Sequence, residues 1–273
     1  MAGARRGKRM GYQMRDNRVK SVLEAGGSAV GTMVVEMRSP AISILLANAG
    51  FDYFFLDMEH GSYDPSTTAD IIKSARLAGI VPFVRVPDAV NDYIARILDA
   101  GAMGIMTPRV ETRETVERIV EAVRYPPLGK RGLSIGKGNN DYQNATIREF
   151  VDHANANNMV ILQIERREAV ENIDDLLSVP GVDVALIGPF DLSVSLGADD
   201  IHDAVVAEAI ERVVESGKRN GVATGIHVRD LAMVEHWAKR GMRLLTCSTD
   251  LNFIMEGAAD TVSQLRRISR GAR

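Results

Sequence analysis

The chain holds one cysteine, Cys247, in 273 residues. That excludes an internal disulfide and any cysteine-rich zinc module, and it predicts a reducing, cytoplasmic setting. No uninterrupted apolar run approaches the roughly 20 residues a membrane helix needs, so no membrane partner is expected. Charge of one sign is also lacking. Against 36 acidic residues stand 33 basic ones, a net charge of −3, which leaves no overall basic field for nucleic acid. Lysine is scarce: the seven lysines, at 8, 20, 73, 130, 137, 218 and 239, all fall outside the apolar runs. This disfavours Schiff-base chemistry, which needs a lysine in a desolvated interior. Neither a glycine-rich dinucleotide loop nor a phosphate-loop lysine motif occurs.

What is present is apolar material for a large core, 45% of all residues. Residues 1–20 stand apart. Arg5, Arg6, Lys8, Arg9, Arg15, Arg18 and Lys20 oppose a single acid, Asp16, with no apolar stretch behind them to make a secretory signal. We read 1–20 as a basic N-terminal arm, solvated or anion-binding and open to disorder, and 21–273 as a single catalytic domain.

Beyond residue 20 one pattern returns eight times. Short apolar runs at 31–37, 52–58, 82–86, 104–107, 160–165, 184–189, 223–228 and 244–249 alternate with 3.6-period stretches. The runs are nearly all apolar, as parallel strands covered on both faces are. Ser39-Pro40 and Asp64-Pro65 read as helix starts, while Gly50, Gly79, Gly101, Gly221 and Gly241 read as left-handed helix ends. Ile254, Ala258, Val262 and Leu265 trace the apolar face of a last helix. Eight such units in about 250 residues predict a (β/α)8 TIM barrel, with an open doubly wound sheet as the runner-up. Residues 125–145 break the rhythm and are expected to form a lid or substrate loop on the strand-to-helix side.

Barrel active sites sit at the carboxyl ends of the strands. The second run ends in Asp57-Met58-Glu59-His60, the third in Arg85, the fifth in Gln163-Ile164-Glu165, and the sixth in Gly188-Pro189-Phe190-Asp191. Glu165 and Asp191 are 26 residues apart, about one strand–helix–strand unit, so they fall on neighbouring strand ends. Oxygen-only donors suit Mg²⁺ or Mn²⁺ better than zinc, although two solvated carboxylates would give the same spacing. Gln163 lies on the same strand face as Glu165. Arg85, inside an apolar run, needs an anion: Glu59, another barrel acid, or a substrate carboxylate or enolate oxygen. His60 is a structural histidine or an acid/base whose tautomer Asp57 holds.

Taken together, FDYFFLDMEHGSYD, VPFVRVP, LDAGAMGIMTPRV, RYPPLGKRG, LQIE and IGPFDLSVSLG resemble, in order and spacing, one family. It is the metal-dependent pyruvate aldolases of the HpcH/HpaI aldolase/citrate lyase family, typified by 4-hydroxy-2-oxoheptanedioate aldolase. The resemblance runs from about Asn17 to the end. It implies a barrel of the phosphoenolpyruvate/pyruvate-binding type and reversible cleavage of a 4-hydroxy-2-oxo acid to pyruvate and an aldehyde, through a metal-stabilised enolate. A citramalyl- or malyl-type CoA-ester lyase and a non-catalytic 2-oxo-acid-binding barrel are the alternatives.

By the same resemblance Glu165 and Asp191 hold one divalent ion (Mg²⁺ or Mn²⁺, with Co²⁺ a further option), and Gln163 contacts substrate or a water. Gly188–Asp191 hold the pyruvate carboxylate by backbone N–H groups; Pro189 has none, so Phe190 and Asp191 are the donors. Arg85 stabilises the enolate and His60 is the acid/base. Asp99 raises the basicity of that histidine. A helix's carboxyl end lies at the opposite face of a barrel, so Asp99 would have to come from another subunit of a homo-oligomer, a hexamer in this family. Met58, Arg109 and the loop LSIGKGNNDYQ depart from the typical member and are expected to shape the aldehyde pocket.

Overall fold

The computed structural model describes residues 14–89 and 91–271. Eight parallel strands close into a barrel in sequence order: β1 (Ala29–Val34), β2 (Tyr53–Asp57), β3 (Val81–Arg85), β4 (Gly104–Thr107), β5 (Met159–Ile164), β6 (Val184–Ile187), β7 (Ala223–Val228) and β8 (Leu244–Thr249). The helices are α1 (Arg18–Glu24), α2 (Ala41–Ala49), α3 (Pro65–Ala78), α4 (Asn91–Ala100), α5 (Arg113–Val123), α6 (Ile147–Asn157), α7 (Arg167–Glu171) and α8 (Ile173–Leu177). After them come α9 (Pro189–Leu196), α10 (Ala204–Asn220), α11 (Leu231–Ala238) and α12 (Asp250–Gly271). All eight expected strands are present, and the open-sheet alternative is excluded by the β8–β1 pairing.

The two-residue alternation of a strand divides each one between two cores. Inward positions stack aromatic rings on the barrel axis, with Tyr53, Phe55 and Phe83 at centroid distances of 5.4–5.5 Å. Outward positions, such as Phe54, Leu56, Val84 and Ile105, pack under the helices. The expected punctuation holds. Asp64 accepts the backbone N–H groups of Ser66 and Thr67 ahead of α3, with Pro65 in the first turn. At α2 the helix starts one residue later than expected: Pro40 is its cap residue, and Ser39 Oγ accepts the N–H of Ala41. Gly50, with φ 96°, shows the left-handed stop that the glycines after helices were read to provide.

Three features differ from the sequence-based expectation. The boundary at residue 20 falls inside α1, whose Val19 and Leu23 plug the amino-terminal end of the barrel. Asn17 ties that plug down by donating to the carbonyls of Met103 and Asn157. Residues 1–13, with Arg5, Arg6, Lys8 and Arg9, lie outside the described residues.

The second difference is the insertion at 125–145. It follows a helix, α5, so it emerges at the amino-terminal face and cannot cover the strand ends of its own barrel. It is pinned to the ends of α3 and α4: Asp141 takes Arg76 Nε and Nη2 at 2.7 and 2.6 Å, and Arg131 donates to Asp99 at 2.7 Å. The third difference is α12. It forms as a helix, but Ile254, Val262, Leu265 and Ile268 are exposed rather than buried on the barrel. Among the described residues no helix is long and apolar enough to cross a membrane.

Candidate active site

At the carboxyl ends of the strands the inward-facing series turns from apolar to polar. Tyr53 and Phe55 are followed by Asp57, Val81 and Phe83 by Arg85, Met159 and Ile161 by Gln163, and Ala223 and Gly225 by His227. A single register thus brings two ions, an amide and an imidazole to one layer above the aromatic floor.

Arg85 and Asp57 form a buried two-pronged pair, Nε to Oδ1 at 2.8 Å and Nη2 to Oδ2 at 2.7 Å. Burial opposes ionisation of Asp57, but the Arg85 fork and the backbone N–H groups of Glu59 and His60 outweigh it and hold the carboxyl below its usual range. Arg85 Nη1 remains turned toward Glu59 Oε2 at 3.2 Å and Gln163 Oε1 at 3.4 Å. The arginine therefore has the ion-pair partners expected of a buried charge, and its third nitrogen meets Glu59 and Gln163 on the site side.

Asp57 does not hold the ring of His60. Its carboxylate is engaged by Arg85 and by backbone, and it meets His60 only at the main-chain N–H. The His60 side chain is 68% exposed, with Nε2 3.8 Å from Glu59 Oε2. Glu59 is the hub: buried, it faces Arg85, Arg109 and His60 at once.

Glu59, His60, Arg109, Glu165, Arg166, Asp191, Val194 and Ser195 line a cavity of about 190 Å³. Glu165 is buried at its wall. Its Oε1 accepts the backbone N–H of Arg109 at 2.8 Å, and Oε2 accepts Gln163 Nε2. Arg109 adopts φ 52° to make that contact, an unusual conformation for a residue with a Cβ. Burial pushes the Glu165 carboxyl up, and the charges of Asp191 and Glu59 push it further. Asp191 sits exposed in the first turn of α9.

These residues fit a hard divalent cation. Two carboxylates converge on one cavity, one of them raised in pKa by the other, as happens where a positive charge belongs. No basic side chain pairs with Glu165 among the described residues. Gly188 keeps the space open, since a Cβ there would lie 3.2 Å from Glu165 Oε2 and 3.1 Å from Gln163 Nε2. No third histidine, cysteine or acid joins as a ligand group among the described residues, so water or substrate oxygens complete any octahedron. Beside it Gly188 precedes α9 as its cap, and the N–H groups of Phe190 and Asp191 in the first turn are open to an anion.

The structure separates other residues from this cluster. Asp99 ends α4 on the opposite face, held by Arg131, and does not approach His60 of its own chain. Met58 points outward into the core beneath the helices, and the loop at 133–143 lies at the far face, so of the three expected pocket-shaping features only Arg109 lines the cavity. His227 was not singled out from the sequence. Its signal was available: an ionisable residue at an inward position ending an apolar strand, as with Arg85.

Comparison with known proteins agrees with the barrel fold. The HpcH/HpaI aldolase/citrate lyase family model matches residues 32–256. A hydroxypyruvate/pyruvate aldolase from Roseobacter denitrificans is 32% identical, over 88% of this chain and 93% of its own. A 4-hydroxy-2-oxovalerate aldolase from Novosphingobium aromaticivorans is 33% identical over 92% of this chain and 95% of its own. The solved structure of an HpcH/HpaI aldolase from Desulfitobacterium hafniense superposes with a TM-score of 0.87 at 35% identity, covering 91% of this chain and 96% of that one. The chain therefore belongs to the HpcH/HpaI aldolase/citrate lyase family, and it is an aldolase.

Proposed function

We propose that this aldolase requires a divalent metal and reversibly cleaves a 4-hydroxy-2-oxo acid to pyruvate, or a close 2-oxo acid, and an aldehyde. The observation that carries the reading is the buried, pKa-raised Glu165 beside Asp191 in one cavity, next to Gln163, which Arg85 also contacts, and to the open N–H groups of α9. The names of the relatives, a hydroxypyruvate/pyruvate aldolase and a 4-hydroxy-2-oxovalerate aldolase, support the substrate class.

Glu165 and Asp191 hold the ion, which when bound supplies Lewis-acid polarisation of the 2-oxo acid's oxygens. The N–H groups of Phe190 and Asp191 take the carboxylate, and Gln163 contacts the polar end of the substrate. Arg85 donates to the keto oxygen as negative charge builds there during cleavage. His60 accepts the C4 hydroxyl proton; the C3–C4 bond breaks, its electron pair passes to C3, and the aldehyde departs. A proton delivered to C3 then completes pyruvate.

The active form is a homo-oligomer, and a hexamer suits the family. Asp99 then reaches a His60 only across a subunit boundary. Pyruvate release from a panel of 4-hydroxy-2-oxo acids and CoA esters, before and after EDTA, tests the reading. Turnover of the hydroxy-oxo acids that EDTA abolishes and Mg²⁺ or Mn²⁺ restores is the expected result. Full activity in metal-stripped protein refutes it, and turnover of the CoA esters alone selects the CoA-ester lyase.

A further inference from the structure

Arg109 lines the cavity from the turn after β4, where its backbone and its side chain hold different partners. Pro108 before it has no N–H, so the first donor past the strand end is the N–H of Arg109. That N–H donates to Glu165 Oε1 at 2.8 Å, from the end of β4 to the end of β5. Gln163 Nε2 donates to Glu165 Oε2. Two protein donors, one on each oxygen, thus fix the orientation of the buried carboxylate.

The grip needs a backbone that an arginine does not favour. Arg109 has φ 52°, in the left-handed region where a Cβ crowds the main chain. Its side chain is anchored at both prongs of the fork. Nη2 donates to the carbonyl of Pro87, past β3, at 2.6 Å, and Nη1 lies 3.3 Å from Glu59 Oε1, past β2. A guanidinium is planar and rigid, so two contacts are enough to fix its place. Val110, buried on the other side of the turn, fixes the chain beyond it. One residue therefore ties the ends of four consecutive strands, β2 to β5, and its side-chain contacts offset the strain of the turn. The guanidinium charge by itself opposes a cation in the same cavity. What favours a cation there is the aim of the N–H.

We propose that Arg109 is a positioning residue for the cation site: its fork clamps the turn after β4 in the left-handed conformation, and the N–H of that turn holds Glu165 in the orientation that takes the ion. This rests on the metal requirement proposed above. Arg109 acts through the Glu165 carboxylate and takes no part in bond cleavage. Its side chain and its backbone are separable, because glycine adopts the same turn without the fork.

The test is calorimetric titration of Mn²⁺ into metal-free protein, with no turnover needed. Arg109→Ala and Arg109→Gly remove the same charge and the same fork, so any electrostatic gain from losing the guanidinium is common to both. They differ in the backbone: the left-handed turn is strained for alanine and unstrained for glycine. Arg109→Gly is therefore expected to bind Mn²⁺ about five- to tenfold more tightly than Arg109→Ala. Arg109→Val, whose branched side chain tolerates that region least, binds no more tightly than Arg109→Ala. The Arg109 side chain is half-exposed, so none of the three opens the core, and thermal melts of the metal-free variants verify that each is folded. Equal affinities for Arg109→Gly and Arg109→Ala overturn the positioning role, whether or not both fall below the wild type. A wild type that binds neither Mn²⁺ nor Mg²⁺ overturns the metal requirement, and the positioning role with it.

Discussion

Arg85 holds Asp57 with two nitrogens and presents the third to Glu59 and Gln163, so structural and chemical duties fall on different edges of one guanidinium. The two duties separate on substitution. Arg85→Ala leaves Asp57 buried and unpaired and is expected to destabilise the fold by about 3–5 kcal/mol. It also removes a preorganised donor, for a loss in kcat on the order of 10²–10³. Arg85→Lys restores a charge but not the planar fork, so it recovers more of the melting temperature than of kcat. Thermal melts and steady-state kinetics on the same preparations check this; wild-type kcat in the folded fraction of Arg85→Ala rules out the chemical duty. Glu165→Ala and Asp191→Ala are expected to abolish divalent-ion binding in calorimetry. Asp191 is solvent-exposed, so its loss leaves the melting temperature close to wild type.

Among the elements, the insertion after α5 is the least regular and yet firmly held. Arg76 and Asp141 are both nearly buried and joined by two hydrogen bonds. Burial opposes the Asp141 charge, but Arg76 outweighs burial and holds the carboxyl below the ordinary value near 3.9. A carboxyl depressed in the folded state stabilises above its unfolded pKa, and that stability is lost as pH falls through the folded one. Asp141→Asn is therefore expected to cost about 3 kcal/mol at pH 7. Its deficit against the wild type should narrow below about pH 4. Urea denaturation of both proteins from pH 7 to pH 3 measures it; a deficit that stays constant with pH shows that the carboxylate charge is not what anchors the loop.

For the whole molecule, the outer wall of the barrel is incomplete. Outward residues of β8, Leu245 and Cys247, are only half-buried, and Val30 on β1 with Ile44 and Leu45 on α2 are exposed beside them. Meanwhile α12 carries an apolar stripe of Ile254, Val262, Leu265 and Ile268 that the described residues leave exposed. A bare wall and a bare helix in one chain are complementary surfaces, which supports the proposed homo-oligomer. Light scattering is expected to find an oligomer for the wild type and a smaller, less stable species for the double variant Ile254→Glu, Leu265→Glu. A wild-type monomer with full activity refutes the assembly and any role for Asp99 across subunits.

The number of strands, their order of appearance and the helix caps were legible in the sequence because they follow from local rules: β-branched runs, proline at a helix start, glycine where φ must be positive. The acidic pair Glu165 and Asp191 was legible for the same reason, since a residue just past a strand's end can only stand at the barrel mouth. Three things were decided by packing between distant segments. Asp57 serves Arg85 and not His60, because the β2–β3 register sets Asp57 directly opposite Arg85. The insertion lies on the far face because it follows a helix, a matter of connectivity that its irregular composition concealed. The apolar stripe of α12 and the inward His227 looked like a buried helix face and an ordinary strand end; a helix's periodicity marks a surface to be covered without naming what covers it, and only closure of the barrel shows which polar groups share its mouth.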